Sequence, residues 1–538
     1  MAEDKSSKPD QKPDLEPEHP EKSKPIKRKV KKPTKGLLIG VIVAAVVILA
    51  GLLTALFLTR HQDSSDPKAK LSYSDSFFIY DNGSYTLWNK KGERLTEDAY
   101  TSKSDFIAGY AYVKKDDQVG IIREDGKMSV NFGKYGAITA AGGLYLAQDG
   151  NTKEYDLLTG AGKVVAHAAD LSITSPSSTA GFAVVKNSAV YTVYNYSGQS
   201  IVSYAIKEDA DEPKLSSSAK DFGLFYYDNF NIVFDVRSGK QLDAFEGQRY
   251  TFEEVSDSRA LILLKSDENE PKYRLIASGK AFELNETKYY GLTDSDDIIV
   301  GYDDYDAVAL LDKNYKVVKR VDAYVALKDI NNYAAKNADG NVEVVVNGQV
   351  VKTFDKEPEI RSGLLYDDFY AIKNDGKYKF YELDGSEAFG GHEYAAVWDI
   401  FDKHHHAIVA DAEDEYYFIN TKGERVSEGA YKRIYIEEGG YEVKNSDNHY
   451  GILNLAGEPI TDTKYESTYY RSDVVDHNIW TGRNAYEDHD VIDVDHKRVL
   501  LEHVNVNSFY AHYFTVKNSD GKYDYYTYDG VKFYTSEQ

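Results

Sequence analysis

A short turn, usually closed by glycine, recurs along this chain, and its spacing constrains the fold more than any other feature. Thirteen copies end between residues 92 and 530, separated by 33 to 41 residues with a mean of about 36. Glycine closes all copies but two, in which Tyr315 and His496 stand. Glycine suits such turns because its backbone reaches positive φ without steric cost. The turns are residues 89–92, 123–126, 159–162, 195–198, 236–239, 276–279, 312–315, 345–348, 382–385, 420–423, 454–457, 493–496 and 527–530.

A second pattern precedes many of these turns, namely aromatic or apolar residues followed by Lys-Asn. It occurs at residues 182–187, 333–337, 369–374, 441–445 and 513–518. An alternating segment such as residues 377–381 follows after a further short turn, and alternation with period two predicts a β-hairpin. Each unit therefore reads as strand, turn, strand, glycine turn and strand, with a further segment around a tyrosine such as Tyr100, Tyr431 or Tyr465.

These units predict an all-β fold, because no amphipathic helical pattern exceeds two turns. A repeat of about 36 residues with three or four antiparallel strands has the size of a β-propeller blade. Thirteen blades exceed the usual four to eight of one ring, so we expect two β-propellers of six or seven blades each. A weakly repetitive zone near residues 290–330 sets the expected domains at 71–320 and 321–538. An open β-solenoid-like stack is the alternative.

The clearest copies cover residues 100–122 and 450–465, where Val119-Gly120 and Tyr450-Gly451 open a strand. This pattern resembles the WG repeat, a bacterial β-repeat family whose Trp-Gly pair corresponds to these positions. Tyrosine largely replaces the family's tryptophan here, and the likeness is weak between about residues 200 and 330. The resemblance implies a repeat scaffold with an interaction role, and it transfers no catalytic residue.

An uncharged apolar stretch without proline covers residues 36–58. A helix of about 20 apolar residues spans a bilayer core. Eight basic residues and no acid lie between residues 22 and 35, so the positive-inside rule places the N-terminus in the cytoplasm. We therefore expect a single-pass signal-anchor over residues 36–59 in the cell membrane, with the bulk of the chain extracellular. The stretch is longer than a signal-peptide core, which argues against cleavage.

Residues 1–35 contain six prolines and no aromatic residue, a composition typical of a disordered tail. Residues 60–70 read as a polar linker. Gly36, Gly40 and Ala44 form a small-residue stripe in the anchor, which would permit weak helix-mediated self-association. Small residues are common in membrane helices, so the stripe by itself does not establish such contacts.

The charge and the lack of cysteine exclude several function classes. The net charge is −24, and this acidity disfavours binding to nucleic acid. The chain has no cysteine, which excludes disulfides, thiolate catalysis and cysteine metal sites. A bacterial surface protein fits this composition.

Candidate sites are few, and each has a plainer structural explanation. The 46 tyrosines recur at repeat positions, so strand packing explains most of them. The run 404–406 contains three histidines, of which at most two would converge on a strand, too few for zinc. Three sequons, at Asn82, Asn195 and Asn285, match chance expectation. Two acidic clusters read as solvated surface and lack calcium-loop spacing: Asp294, Asp296, Asp297, Asp303, Asp304 and Asp306, and Glu487, Asp488, Asp490, Asp493 and Asp495.

The sequence therefore predicts a binding or scaffold module for a protein or cell-envelope glycan, with no catalytic residue, metal or cofactor identified. The alternatives are an extracellular hydrolase with carboxylates in a propeller channel, or a ligand sensor. An exposed patch of tyrosine with Trp88, Trp398 or Trp480 would favour binding. Converging carboxylates with raised pKa values would favour the hydrolase.

Overall fold

The computed structural model describes Leu71 and residues 74–537, apart from residues 219–220, 256–258, 265–271, 286, 288, 293–298, 305–306, 313, 322, 330, 338, 356–358, 363–367, 400–403 and 428. The chain divides by contacts into Met1–Asp66 and Pro67–Gln538, and all described residues belong to the second unit. The expected tail, membrane anchor and linker lie entirely outside the described residues. Within the described part of the chain, no helix is long and apolar enough to cross a membrane.

The described residues fold into short antiparallel strands, which we group into thirteen consecutive units. Unit 1 contains β1 (Ser76–Asp81) and β2 (Ser84–Asn89), and unit 2 contains β3 (Ser102–Lys103), β4 (Tyr110–Lys115), β5 (Gln118–Arg123) and β6 (Met128–Val130). Unit 3 contains β7 (Ala137–Ala141), β8 (Leu144–Gln148), β9 (Tyr155–Thr159) and β10 (Val164–Ala168). Unit 4 contains β11 (Ser172–Thr174), β12 (Phe182–Lys186), β13 (Val190–Asn195) and β14 (Ser200–Ala205). Unit 5 contains β15 (Lys214–Ser217), β16 (Phe222–Tyr227), β17 (Phe230–Asp235) and β18 (Gln241–Glu246), and unit 6 contains β19 (Thr251–Val255), β20 (Arg259–Leu264), β21 (Lys272–Ala277) and β22 (Lys280–Leu284). Unit 7 contains β23 (Tyr289–Leu292), β24 (Ile299–Asp304), β25 (Ala307–Leu311) and β26 (Val317–Val321). Unit 8 contains β27 (Ala323–Asp329), β28 (Asn332–Lys336), β29 (Val342–Val346) and β30 (Gln349–Phe354).

Units 9 to 11 contain β31 (Glu359–Ser362), β32 (Phe369–Asn374), β33 (Lys377–Glu382) and β34 (Glu393–Tyr394); β35 (Ala396–Asp399), β36 (His406–Ala410) and β37 (Tyr416–Asn420); β38 (Arg433–Glu437), β39 (Gly440–Lys444) and β40 (Tyr450–Leu453). Units 12 and 13 share one long strand and contain β41 (Ser467–Tyr470), β42 (Ile479–Ala485), β43 (Asp488–Asp493), β44 (Arg498–Phe509), β45 (Tyr513–Lys517), β46 (Tyr523–Thr527) and β47 (Lys532–Thr535). Residues 498–504 of β44 pair with β43, and residues 505–509 pair with β45.

The strand order confirms the predicted all-β repeat. Each four-stranded unit is a meander in which sequential strands pair antiparallel. Unit 7 ends with β26 at Val321 and unit 8 begins with β27 at Ala323, so the expected boundary at 320/321 falls at a junction between units. The division into two domains stays a prediction.

The recurring turns form for a local reason that repeats along the chain. In the turn after β2, the Gly92 N–H donates to the Asn89 carbonyl at 2.9 Å, and Gly92 has φ +77°. The Asn89 side-chain oxygen accepts from the N–H groups of Lys91 and Glu93, both at 3.0 Å. Asparagine is favoured here because its side chain caps main-chain donors that the turn leaves free.

The two copies without glycine behave differently. Tyr315 has φ +62°, which confirms that it takes glycine's conformation. The prediction for His496 is wrong, because the positive φ of +51° belongs to Lys497 instead. The Lys497 N–H donates to the Val494 carbonyl at 3.2 Å, so this turn is shifted by one residue. His496 is instead held by a 2.8 Å hydrogen bond between its Nδ1 and Asp493.

The core lies between units, where the middle strands of one sheet pack on those of the next. β12 is buried along most of its length, while the edge strand β14 alternates between exposed and half-buried positions. Phe182 of unit 4 meets Phe234 of unit 5 edge-on at 4.9 Å. Near-continuous apolar strands are expected when both faces of a sheet are covered.

Successive units contact one another, and the series returns to its start. Apolar clusters join units 1 to 7 in order and units 8 to 13 in order, and β25 contacts β27 between units 7 and 8. A further cluster contains Ile79 and Trp88 from unit 1 with Tyr513 and Tyr525 from unit 13. We call this contact between units 1 and 13 the seam.

Candidate functional site

The seam contains two neighbouring cavities that share Tyr510. The first, which we call the aromatic cavity, has a volume of about 450 Å³, and the second, the polar cavity, about 590 Å³. The aromatic cavity is bordered by the start of β1, by residues 103–106 of unit 2 and by the turn 510–513 of unit 13. The polar cavity is bordered by the β1–β2 turn and by β44 to β46. Both therefore lie along β1.

Stacked rings form two walls of the aromatic cavity. Phe77 stacks on Tyr513 at 4.6 Å, and Tyr510 stacks on the other side of Tyr513 at 4.5 Å. Opposite them, Phe78 stacks on Phe106 at 5.3 Å. Phe77 and Phe78 reach different walls because successive side chains of a strand point to opposite faces. The cavity therefore offers apolar faces to a ligand from both sides of one strand.

The aromatic cavity also contains one ion pair and one buried histidine. Lys103 Nζ lies 2.8 Å from Asp105 Oδ1 and 5.9 Å from the centre of the Phe78 ring. Burial lowers the pKa of His512, which leaves its imidazole neutral at pH 7. The three groups together carry no net charge, so this cavity favours neutral or apolar ligand groups.

The polar cavity combines tyrosines with amide and carboxylate groups. The Tyr80 side chain is 59% exposed and packs on Tyr85 at 4.8 Å. The Asp81 carboxylate accepts hydrogen bonds from the Tyr534 hydroxyl and from the Glu537 N–H, the latter at 2.8 Å. Burial raises the pKa of Tyr525 to about 12, so its hydroxyl stays protonated. These groups present both hydrogen-bond donors and acceptors to a ligand.

An acidic cluster lies farther along unit 12, at the second of the two clusters seen in the sequence. Oxygens of Asp488 and Asp490 lie within 4.8 Å of one another and of a His503 ring nitrogen. His503 Nδ1 lies 3.1 Å from Asp488, and the exposed imidazole has a raised pKa because of that hydrogen bond. The described structure brings these three residues together, but it shows no further ligand for a metal ion.

Asp490 is fully engaged in structural hydrogen bonds. Its carboxylate accepts from the Tyr465 hydroxyl at 2.9 Å, Lys464 Nζ at 3.2 Å, Asn484 Nδ2 at 2.9 Å and the His503 N–H at 3.1 Å. Burial acts to raise the pKa of Asp490, but these donors outweigh it and hold the pKa below its usual range. The carboxylate thus fixes the junction of β43 and β44.

The histidine run does not lie along one strand. His405 has φ +63° in the turn that precedes β36, and only His406 belongs to that strand. In the described part of the chain, the histidine run is not among the groups that could hold a metal ion. Of the first acidic cluster, Asp303 and Asp304 lie in β24, and Asp294, Asp296, Asp297 and Asp306 lie outside the described residues.

The tryptophans do not form one exposed patch. Trp88 is buried in the seam and donates to Thr86 Oγ1 at 2.7 Å. Trp480 is fully buried in unit 12 and donates to Asn478 Oδ1 at 3.1 Å. Trp398 is 47% exposed and meets Tyr416 edge-on at 5.6 Å.

The sequence analysis named Trp88 and Asn82 but did not predict that they and the other seam residues come together. The available signal was the aromatic run Phe509-Tyr510-Ala-His-Tyr513 around a hairpin turn. This run becomes part of a cavity only through residues distant in sequence, since Tyr513 stacks on Phe77.

The sequon at Asn195 has a structural role. Asn195 is buried, and its side-chain oxygen accepts a hydrogen bond from the Gln199 N–H at 3.0 Å.

Comparisons with known proteins give no relative in sequence. No protein-family model matches this chain, and no curated protein matches it. Similar solved structures include a eukaryotic initiation factor (11% identity, 60% of this chain and 97% of that chain, TM-score 0.24). They also include BamB from Moraxella catarrhalis (12% identity, 52% and 92%, TM-score 0.21) and the computationally designed Ika8 protein (14% identity, 59% and 95%, TM-score 0.18). At these TM-scores the likeness carries no argument about function.

Proposed function

We propose that this chain is a single-pass membrane protein whose extracellular β-repeat region binds a protein or glycan of the cell envelope. The anchor over residues 36–59 and its orientation come from the apolar stretch and its basic flank. The repeat region then lies outside the cell, where a binding or scaffold role fits a fold built of many similar units. The ligand site is the pair of seam cavities.

The exposed aromatic groups at the seam carry this proposal. Tyr80 and Tyr510 are 59% and 43% exposed, although both lie beside cavities lined by other rings. Exposed aromatic side chains grouped in a concave surface are typical of binding sites, since their faces gain from covering by a ligand. By contrast, Tyr100 and Tyr465 of the repeats are fully buried and serve packing.

The proposal also includes the architecture of the repeat region, namely WG-like units that close into β-propellers. The resemblance to the WG repeat and the closure of units into propellers would explain how one ligand surface is built from distant segments. The seam supports closure of the series as a whole, because unit 13 contacts unit 1. Two separate rings of six or seven units, with the boundary at 320/321, would instead require units 1 and 13 each to close on a unit of its own half.

Retention of envelope material on variants tests the proposed function. The full-length protein in detergent is immobilised and exposed to envelope fractions, in parallel with Tyr510→Ala and Tyr469→Ala. Tyr469 is a matched control because it is 48% exposed but lies in β41, away from both cavities. We expect Tyr510→Ala to lose most of the retained material and Tyr469→Ala to keep it.

Equal retention by all three proteins would contradict a ligand site at the seam. Retention of soluble small molecules alone would contradict the binding-scaffold role and would favour the sensor. The hydrolase alternative would gain support if the retained glycan were shortened, and loss of that activity in carboxylate variants would then locate its site.

A further inference from the structure

A third cavity lies in units 12 and 13, and we call it the basic cavity. It has a volume of about 400 Å³ and is lined by residues of β42 to β46 and of the turn between β42 and β43. Its lining includes Asn507 and Tyr523, which also line the polar cavity of the seam, so the two cavities adjoin. Its size falls within the usual range of ligand pockets.

The strand register explains how basic and polar side chains meet in this cavity. Arg483 of β42 and His489 of β43 are direct antiparallel partners, so their side chains point to the same face of the sheet. Asn505 of β44 pairs with Lys517 of β45, and Lys517 pairs in turn with Tyr523 of β46. The cavity therefore lies where β44 exchanges β43 for β45 as its pairing partner.

Arg483 and Lys517 are the two permanent cations in the lining of the basic cavity. The Nε atom of Arg483 has no hydrogen-bond partner among the described residues, and it lies 3.5 Å from Oε2 of Glu466. Both side chains of that ion pair are partly exposed, and such pairs stabilise weakly. Lys517 is exposed and forms no ion pair with a described carboxylate. Both cations can therefore interact with a negatively charged ligand.

One carboxylate stands against these two cations in the lining. It belongs to Glu487, which is exposed in the turn between β42 and β43 and accepts a hydrogen bond from Asn505 Nδ2 at 3.3 Å. The lining of the polar cavity, by contrast, contains Asp81 and no basic residue. Since the whole chain has a net charge of −24, an anion that is repelled by most of the molecule would be attracted here.

The imidazole of His489 is affected by this positive potential. Burial, together with the positive charges of Arg471 and Arg483, lowers the pKa of His489, while Asp488 acts in the opposite direction. Arg471 forms no ion pair within the described part of the chain, and it donates to Thr481 Oγ1 at 3.2 Å. A third cation therefore adds to the positive potential, although it does not line the cavity.

The rest of the lining fits a sugar better than it fits a protein surface. Tyr486 is 87% exposed, and aromatic faces of this kind can cover a sugar ring. The amides of Asn505 and Asn507 both donate and accept hydrogen bonds, as sugar hydroxyls do. Val506 is the only aliphatic residue of the lining, whereas the centre of a protein interface is mostly apolar.

We propose that the basic cavity binds the negatively charged group of an anionic glycan, either a carboxylate or a phosphate, and that the adjoining sugar units extend into the polar cavity. This inference rests on the proposed binding function and names its ligand class. Arg483 and Lys517 contact the anionic group, and Tyr486 covers the sugar ring that carries it. Tyr523, which lines both cavities, contacts the sugar units between them.

Charge reversal at two exposed lysines separates this site from the effect of overall charge. Lys517→Glu places a carboxylate in the cavity, whereas Lys422→Glu makes the same change in the turn after β37, where Lys422 is also exposed. Both variants have the same net charge, so long-range repulsion is matched. The full-length protein in detergent is titrated with three labelled hexamers, namely galacturonate, glucose carrying phosphate groups and unmodified glucose, and binding is measured by fluorescence polarisation.

We expect at least one anionic hexamer to bind the unsubstituted protein about tenfold or more tightly than the glucose hexamer. Lys517→Glu should weaken that binding by about tenfold or more, and Lys422→Glu by about twofold or less. The hexamer that binds more tightly distinguishes a carboxylate ligand from a phosphate ligand.

Acetylation of lysines gives a second measurement, which uses the unsubstituted protein and does not depend on the folding of a variant. The bound anionic hexamer should slow acetylation of Lys517, because it covers the ammonium group. Acetylation of Lys422 should be unchanged.

Four results would overturn the inference: no binding of either anionic hexamer, equally tight binding of the glucose hexamer, equal losses with Lys517→Glu and Lys422→Glu, or unchanged acetylation of Lys517. Hexaglutamate is the parallel arm, and binding as tight as that of the anionic hexamers would assign the cavity to an acidic peptide instead. Envelope retention that depends on Tyr510 but is unaffected by Lys517→Glu would leave the proposed function standing and refute an anionic glycan in the basic cavity.

Discussion

Single glycines in the turns differ in whether their surroundings leave room for a side chain. Gly92 and Gly376 both have positive φ, +77° and +85°. A Cβ at Gly376 would meet nothing within 4 Å, whereas a Cβ at Gly92 would lie 2.6 Å from Cβ and Cγ of Phe533 in β47. Gly92 is therefore required twice, by its turn and by the seam.

Alanine at these two glycines should separate the two requirements. Positive φ alone costs an alanine about 1–2 kcal/mol, so Gly376→Ala should lower the free energy of unfolding by about that amount. Gly92→Ala should cost more, because Phe533 must also move. Urea denaturation measures both, and equal losses would show that the seam tolerates an added methyl group.

Three histidines of units 12 and 13, His512 buried and His477 and His489 half-buried, predict a loss of stability in mild acid. Burial lowers the pKa of His477, His489 and His512 from 6.5. Below pH 6.5 the unfolded chain binds protons at these positions before the folded chain does, so the free energy of unfolding falls as the pH falls. The lowered pKa of Asp490 acts in a separate, more acidic window below 3.8.

His512→Gln is the test for the histidine at the seam. His512 contacts Phe77 and is influenced by Asp75, Asp476 and Lys90 around it. Urea midpoints measured between pH 7.5 and pH 5 should fall less steeply for His512→Gln than for the parent protein. Parallel slopes would show that His512 does not contribute to the acid sensitivity.

At the scale of elements, three short units have two isolated bridges in place of a fourth strand, and a tyrosine forms one bridge of each pair. Tyr100, Tyr431 and Tyr465 each form one antiparallel bridge to the third strand of their unit, which confirms the tyrosine segment predicted after the glycine turn. These units are 1, 10 and 11, and the Tyr450-Gly451 pair belongs to the last of them. The tyrosine segment thus covers part of an edge that other units cover with a strand.

The tyrosine hydroxyls should contribute unequally. Tyr465 donates to the buried Asp490 carboxylate at 2.9 Å, whereas the Tyr100 hydroxyl meets only Thr96 Oγ1 at 3.1 Å. Tyr465→Phe should lower the free energy of unfolding by about 1–3 kcal/mol, because a buried charge loses a donor, and Tyr100→Phe by about 1 kcal/mol or less. The pKa of Asp490, followed by NMR, should rise in Tyr465→Phe alone.

For the whole molecule, the seam joins segments from opposite ends of the described chain. Trp88 packs on Phe533 at 5.3 Å and on Tyr534 at 5.5 Å. Repeat arrays that contact only their neighbours unfold from their ends, since terminal units have one partner instead of two. Contact between units 1 and 13 gives each end unit a second partner, so the seam should hold both ends closed.

Trp88→Ala should therefore open the ends of the series first. Removing a buried tryptophan costs about 3–5 kcal/mol, and the loss should appear in native-state hydrogen exchange as faster opening of units 1 and 13. Trp398→Ala is the control, because Trp398 is 47% exposed and lies in unit 10. Uniformly faster exchange across all units would contradict a role confined to the seam.

Local patterns in the sequence were sufficient to predict the strands, the turns and their number. A glycine or a capping asparagine acts within four residues, so turns such as 89–92 form for reasons that are visible in the sequence. Tyr315 was placed correctly by spacing alone, whereas at 493–496 spacing pointed to His496 and the chain uses Lys497. In this turn the Asp493 carboxylate forms hydrogen bonds with both His496 and Arg498. The spacing of the turns does not reveal these side-chain contacts.

The sequence by itself determined that this chain builds tandem antiparallel β-units, because period-two alternation and positive-φ turns are short-range properties. Only the tertiary structure brought together the residues of the seam cavities, where we propose a ligand site. The seam depends on contacts between distant segments, such as that between Asp81 and Tyr534, which are 453 residues apart. A contact between distant segments leaves no local signal, since β1 reads in sequence like other strands of the repeat.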